Sequence, residues 1–223
     1  MKRTGIVGKI LTLALTAVMG FCGVSCAQNK TNDKTTKTNE AKTTNTNNKD
    51  TTMKDKKTLV AFFSRADENY NVGYIKKGNT QKIAEVIAAE TGADTFHIET
   101  VRPYPADYMS CIKQAKQELR DNARPEIKGD VKVEDYDVIF IGYPNWWGEP
   151  PMALYTFIEK HDWKGKTIIP FITHEGSGFG GTDQSVAAAC KGATMLNGLA
   201  VQGKVAQAGA DNTVKRWLKG LGY

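Results

Sequence analysis

Three short stretches hold the groups with which this chain can do chemistry. The first joins Ser64 to Gly78-Asn79-Thr80. An apolar run, Leu59 to Phe63, delivers Ser64, and a helix pattern with Ile83, Val86 and Ile87 on one face follows Thr80. A hydroxyl at a strand end, next to the first turn of a helix, suits an anion. The first amides of a helix lack an intrahelical partner and carry partial positive charge, so they attract a phosphate. Ser64, Asn79 and Thr80 add side-chain donors, and Gly78 lets the backbone come close. The same residues also read as a plain helix start, with Asn79 or Thr80 as cap and Gly78 in a turn. Neither Gly-x-Gly-x-x-Gly nor Gly-Lys-Ser/Thr is present in this stretch, which excludes the dinucleotide fingerprint and the triphosphate loop.

The second stretch is Gly142-Tyr143-Pro144-Asn145-Trp146-Trp147-Gly148-Glu149-Pro150-Pro151. Two adjacent indoles in a Gly/Pro-rich loop expose apolar surface at a cost of about 25 cal/mol per Å² unless something covers them. A flat heteroaromatic ring is one cover; the sheet edge or another protein is the other. The third is Thr173-His174-Glu175-Gly176-Ser177-Gly178-Phe179-Gly180-Gly181-Thr182, a backbone-rich surface that reads as a ligand loop or as a linker. Ser177 with His174 also spells a nucleophile and a base. The elbow Gly-x-Ser-x-Gly is missing, because Glu175 and Phe179 stand where glycines belong.

The elements that must position these loops alternate. Strand patterns at Leu59–Phe63, Thr95–Ile98, Val138–Ile141, Ile168–Ile172 and a weaker Met195–Val201, interrupted at Gly198, alternate with helix patterns. The helices start at Thr80, near Tyr108, at Pro151, behind Asp183 as N-cap, and near Asp211. This order predicts an α/β fold: a three-layer, doubly wound parallel sheet of five strands in the order 2-1-3-4-5. Pro170 inside the fourth strand predicts a bulge or local exposure. Ligands of such sheets bind beyond the carboxyl ends of the strands, where all three unusual loops fall.

Taken together, these loops make residues 58–223 resemble the flavodoxin family, in a bacterial flavodoxin-like lipoprotein subgroup. The resemblance is carried by Phe63-Ser64-Arg65, Gly78-Asn79-Thr80, Tyr143 to Trp147, Thr173 to Gly178, and Val101-Arg102-Pro103-Tyr104-Pro105-Ala106-Asp107-Tyr108. It implies FMN as cofactor. The phosphate role maps to Ser64, Asn79 and Thr80, with Arg65 beside them. Pro144, Asn145, Trp146, Trp147 and Gly148 map to the loop over the isoalloxazine ring, and Thr173, Glu175, Gly176, Ser177 and Gly178 to its other side. Glu175 either accepts from the ring's pyrimidine edge or is solvated. The departure is the insertion Ala66 to Lys77, where Tyr70 and Tyr74 alternate with polar residues as in a lid or a solvated loop. The expected function is electron transfer to a redox partner or a small acceptor such as a quinone. The alternatives are a cofactor-free surface binding module on the same fold and a Ser177/His174 hydrolase.

The start of the chain predicts its address. Lys2 and Arg3 precede an apolar run from Ile6 to Phe21, then Gly23-Val24-Ser25-Cys26, which reads as a secretory signal over residues 1–26. Cys26 after small residues resembles the lipobox of bacterial lipoproteins, with Gly23 where leucine is usual; the resemblance implies lipidation of Cys26 and a membrane-anchored, exported protein of a bacterial envelope. An ordinary cleaved signal is the alternative. Residues 27–57 are nearly all Thr, Asn, Lys, Gln and Asp, and read as a disordered tether.

The formal charge of +6 sits in these leading segments: residues 1–57 carry a net of +7 and residues 58–223 a net of −1. A near-neutral domain removes the main support for nucleic-acid binding. His97, His161 and His174 lack metal-ligand spacing, and Cys111 and Cys190, in separate helix patterns, are expected as free, half-buried thiols.

Overall fold

The computed structural model describes residues 52–223. The expected signal with Cys26, and the tether up to residue 51, lie outside the described residues. Met53–Asp55 forms a 3-10 turn, and the Lys57 carbonyl accepts from the Asp137 amide at 2.8 Å, which starts the sheet.

β1 (Thr58–Phe63) is buried throughout. Side chains alternate along a strand, so Leu59, Ala61 and Phe63 enter one core and Val60 and Phe62 the other. The insertion follows as an antiparallel hairpin, β2 (Asp67–Asn69) and β3 (Gly73–Ile75), and then α1 (Asn79–Thr91) and β4 (Asp94–Ile98). Next come α2 (Tyr108–Arg120), β5 (Val138–Pro144), α3 (Met152–Ile158), β6 (Thr167–His174), α4 (Thr182–Ala189), β7 (Thr194–Met195), β8 (Leu199–Gln202), α5 (Gly203–Ala208) and α6 (Asp211–Leu221).

The main sheet is parallel in the order β4-β1-β5-β6, with β7 and β8 both pairing β6. This is the expected 2-1-3-4-5 order with the fifth strand in two pieces. Helices α2, α3 and α4 bury Cys111, Phe157 and Val186 on one face; α1, α5 and α6 bury Ile87, Ala206 and Leu218 on the other.

Pro170 behaves differently from expectation. It is buried inside an unbroken β6, paired with Ile141. The break lies in its neighbour. The Leu196 amide donates to the Ile168 carbonyl at 2.9 Å, and residues two apart in a strand face the same neighbour. Proline's missing N–H therefore faces the fifth strand, which parts into β7 and β8 at that level. Gly198 fills the gap, where a Cβ would run into the Pro170 ring at 2.7 Å and its carbonyl oxygen.

Two other expectations need correcting. The N-cap of α4 is Gly181, with Asp183 inside the first turn; the Thr182 hydroxyl turns back to the Phe179 carbonyl at 2.8 Å. Cys111 and Cys190 are free but buried.

Candidate functional site

β1 ends at Phe63 and hands the chain to Ser64, whose hydroxyl accepts from the Gln81 amide at 3.0 Å. Ser64 thus caps α1 from a distance, in place of the extended N-cap residue Gly78, which has no side chain to do so. The amides of Asn79 and Thr80, the first two of the helix, have no intrahelical partner. Thr80 is buried, and its hydroxyl bonds that of Thr173 at 2.8 Å, joining the first loop to the end of β6. The Asn79 side-chain oxygen accepts from Gln207 Nε2 at 2.7 Å.

Arg65 is placed differently from a phosphate ligand. Its guanidinium donates to the Glu68 carbonyl at 2.5 Å and to the Pro105 and Ala106 carbonyls at 2.6 and 2.7 Å. It therefore pins the base of the β2–β3 hairpin to the segment before α2. Its Nε is buried with no partner among the described residues.

After β5 the chain makes a two-residue reversal. Trp146 and Glu149 exchange backbone hydrogen bonds of 2.9 and 3.2 Å around Trp147 (φ 55°) and Gly148 (φ 82°). Positive φ at both central positions is the signature of a type I′ turn, which strains a residue as bulky as Trp147. Asn145 holds the turn, accepting from the Gly148 amide at 2.9 Å while donating to the Gly178 and Phe179 carbonyls at 3.1 and 3.0 Å. The two indoles have separate fates. Trp146 packs edge-on against Phe63 and Tyr104, whereas Trp147 is 46% exposed, with Lys116 Nζ 4.9 Å from its ring centre.

After β6 the glycine-rich loop winds around an imidazole. His174 Nδ1 accepts from the Gly176 and Gly178 amides at 2.9 and 3.2 Å. Burial pushes the His174 pKa down against the opposing pull of Glu175, which suits a neutral ring with its proton on Nε2. The acceptor nitrogen is thus occupied. Ser177 Oγ turns to the Gly178 carbonyl at 3.4 Å instead, so the geometry does not support the hydrolase alternative.

These loops share a cleft of about 420 Å³. The first loop contributes Arg65 and Asn79, the second Pro144, Asn145, Trp146, Trp147 and Gly148, and the third Thr173, Glu175 and Ser177. Ser64, Thr80, Gly176 and Gly178 stand behind this lining and hold it in place through the bonds already given.

Other lining residues are absent from the sequence-based set: Asn69 and Tyr70 of the hairpin, Tyr108, Cys111, Ile112 and Ala115 of α2, and His174. The hairpin closes over the cleft. Tyr70 stacks on Tyr108 with ring centres 5.9 Å apart, the Tyr108 amide donates to Glu68 Oε2 at 2.9 Å, and Asn71 Nδ2 reaches Glu175 Oε2 at 3.3 Å.

A family model described as Flavodoxin matches residues 57–221. Among solved structures, a Bacteroides eggerthii protein classed as a flavoprotein is similar at 30% identity and a TM-score of 0.61, over 75% of this chain and 99% of that one. A Bacteroides uniformis protein of the same class is 28% identical, with a TM-score of 0.60, over 73% of this chain and 97% of that one. A Lactobacillus acidophilus flavoprotein solved in complex with FMN is 20% identical, with a TM-score of 0.54, over 73% of this chain and 99% of that one; at that identity the likeness speaks to fold alone. No protein of curated function matches the chain.

Proposed function

The chain belongs to the flavodoxin family, and we propose on that footing that its cleft holds FMN and that the protein passes electrons to a redox partner or a small acceptor of the quinone class. The observation that carries this reading is convergence: loops from the ends of β1, β5 and β6 line one cleft. Its donor set suits FMN at both ends. The opening amides of α1 suit a phosphate. Arg65 stands on the cleft wall and holds the hairpin base beside it through its bonds to backbone carbonyls. Trp147 offers a flat, half-exposed face to a ring.

When bound, the flavin supplies the electron chemistry. The chain's own part is positioning. Asn145 ties the second loop to the third, Thr80 ties the first to the third, and Trp146 anchors the turn against Phe63. A site fixed this way loses less freedom when it binds. Neutral His174 holds the third loop in shape, and the hairpin shields the cleft from water.

The proposal extends to location. The charged start, the apolar run and the small residues before Cys26 support export and a lipid anchor at that cysteine in a bacterial envelope. Metabolic labelling with a fatty acid that marks the wild type and spares Cys26→Ala supports the anchor; equal labelling of both removes it.

The cofactor reading is tested on the purified full chain. The expected result is a visible flavin spectrum, as isolated or after adding FMN, with the fluorescence of the flavin quenched. A colourless chain that leaves added FMN unperturbed contradicts it. Turnover with a reduced nicotinamide and a quinone separates a reductase from a carrier, which shows almost none alone.

A further inference from the structure

The cleft contains a charge of the wrong sign for a phosphate. Glu175 follows directly after β6 and lines the cleft. One carboxylate oxygen, Oε2, accepts from Asn71 Nδ2 at the hairpin tip at 3.3 Å. The other, Oε1, lies over Gly203 at the start of α5. A Cβ on Gly203 would collide both with this oxygen and with Asn79 Nδ2 (2.6 Å), so the Glu175 carboxylate and the first residue of α1 flank the same point. Glycine leaves room for both groups; a side chain there would push one or both of them aside. The Asn79 amide is fixed from its other side by Gln207, which also donates to the Lys77 carbonyl at 3.0 Å.

The N-terminal end of a thirteen-residue helix attracts negative charge, and the Glu175 carboxylate lies beside the side chain of its first residue, Asn79. A phosphate brought to the same helix end meets the carboxylate at short range, where like charges repel.

Resting on the FMN reading above, we propose that Glu175 is a charge gate for the phosphate subsite, latched by Asn71 of the hairpin. Entry of the phosphate displaces the carboxylate from the end of α1. That movement breaks the exposed hydrogen bond between hairpin tip and third loop, while the Arg65 clamp keeps the hairpin base fixed. Cofactor loading and lid position are thereby coupled, and the gate discriminates by ligand charge: it opposes FMN and ignores riboflavin, which lacks the phosphate.

The test compares equilibrium binding of FMN and riboflavin to the full-length wild type, Glu175→Gln and Asn71→Ala, followed by flavin fluorescence. Glu175→Gln keeps an acceptor for Asn71 and removes the charge. It is expected to bind FMN about tenfold more tightly, with riboflavin changed by less than about twofold, since a tenfold ratio corresponds to one modest charge interaction. Asn71→Ala releases the latch and is expected to speed FMN association severalfold. Equal weakening of both flavins in Glu175→Gln overturns the gate, because the carboxylate then contacts the ring; unchanged FMN affinity overturns it as well. A wild type that binds neither flavin overturns the cofactor reading itself, so the two failures are told apart.

Discussion

Thr80 and Thr173 share a buried hydrogen bond of 2.8 Å although 93 positions separate them. One opens α1 and the other lies near the end of β6, so this single bond joins the phosphate-side loop to the glycine-rich loop. Neither hydroxyl sees water, and each depends on the other. Replacing one by a methyl leaves its partner unpaired at a cost of about 1–3 kcal/mol, whereas replacing both removes the mismatch. Thr80→Val and Thr173→Val are each expected to lose about 2 kcal/mol in urea unfolding, and the double variant less than the sum. Strict additivity would show that the two hydroxyls act separately.

The two tryptophans should separate cleanly. Trp146 packs against Phe63 and Tyr104, so Trp146→Ala is expected to destabilise the fold by about 3 kcal/mol. Trp147 is half-exposed at positive φ, and Trp147→Gly relieves backbone strain of about 1 kcal/mol. Its stability should hold or rise while FMN affinity falls about tenfold, the loss of roughly one stacking contact. Thermal melts beside a flavin titration check both; unaltered affinity in Trp147→Gly would remove that indole from the ring site.

His174 makes the site sensitive to acid. Its pKa is depressed from the ordinary 6.5 by burial, so the folded state favours the neutral ring. Stability from this group is therefore full above the ordinary value and is lost as pH falls through the depressed folded value. Protonation turns Nδ1 into a donor facing the Gly176 and Gly178 amides, which also need acceptors. FMN affinity is expected to drop on the acid side of the ordinary histidine range, and His174→Ala to abolish that inflection while binding more weakly throughout. An inflection that survives in His174→Ala belongs to another group.

Arg65 should control the hairpin. Its fork reaches three backbone carbonyls, a geometry that lysine's single ammonium cannot reproduce. Arg65→Lys is expected to raise hydrogen exchange across β2 and β3 by at least tenfold while leaving β1 and β5 protected. Uniform exchange across the domain would mean that the residue supports the whole fold.

Much of this arrangement was legible in the sequence because its signals are local. Leu59–Phe63, Val138–Ile141 and Ile168–Ile172 are apolar runs of strand length, and each is followed by a loop of unusual composition. Even the weak point at Gly198 fell at the division of the fifth strand, although its cause, the missing amide of Pro170, acts across strands. Tyr108, Ile112 and Ala115 recur at helical spacing, which marks an apolar face without telling whether it meets the sheet or a cleft. The three-residue strands of the hairpin are too short to show alternation, and their stability comes from Arg65 and Tyr108. Thr80, expected to point at a ligand, turns inward to a partner on β6 that only the fold supplies.

The most direct test of the central claim is a crystal structure of the full chain grown with FMN. The account predicts one FMN in the shared cleft, its phosphate at the amides of Asn79 and Thr80, its ring beside Trp147, and Glu175 swung away from Gly203. FMN bound outside that cleft, or with its phosphate remote from the start of α1, would contradict it.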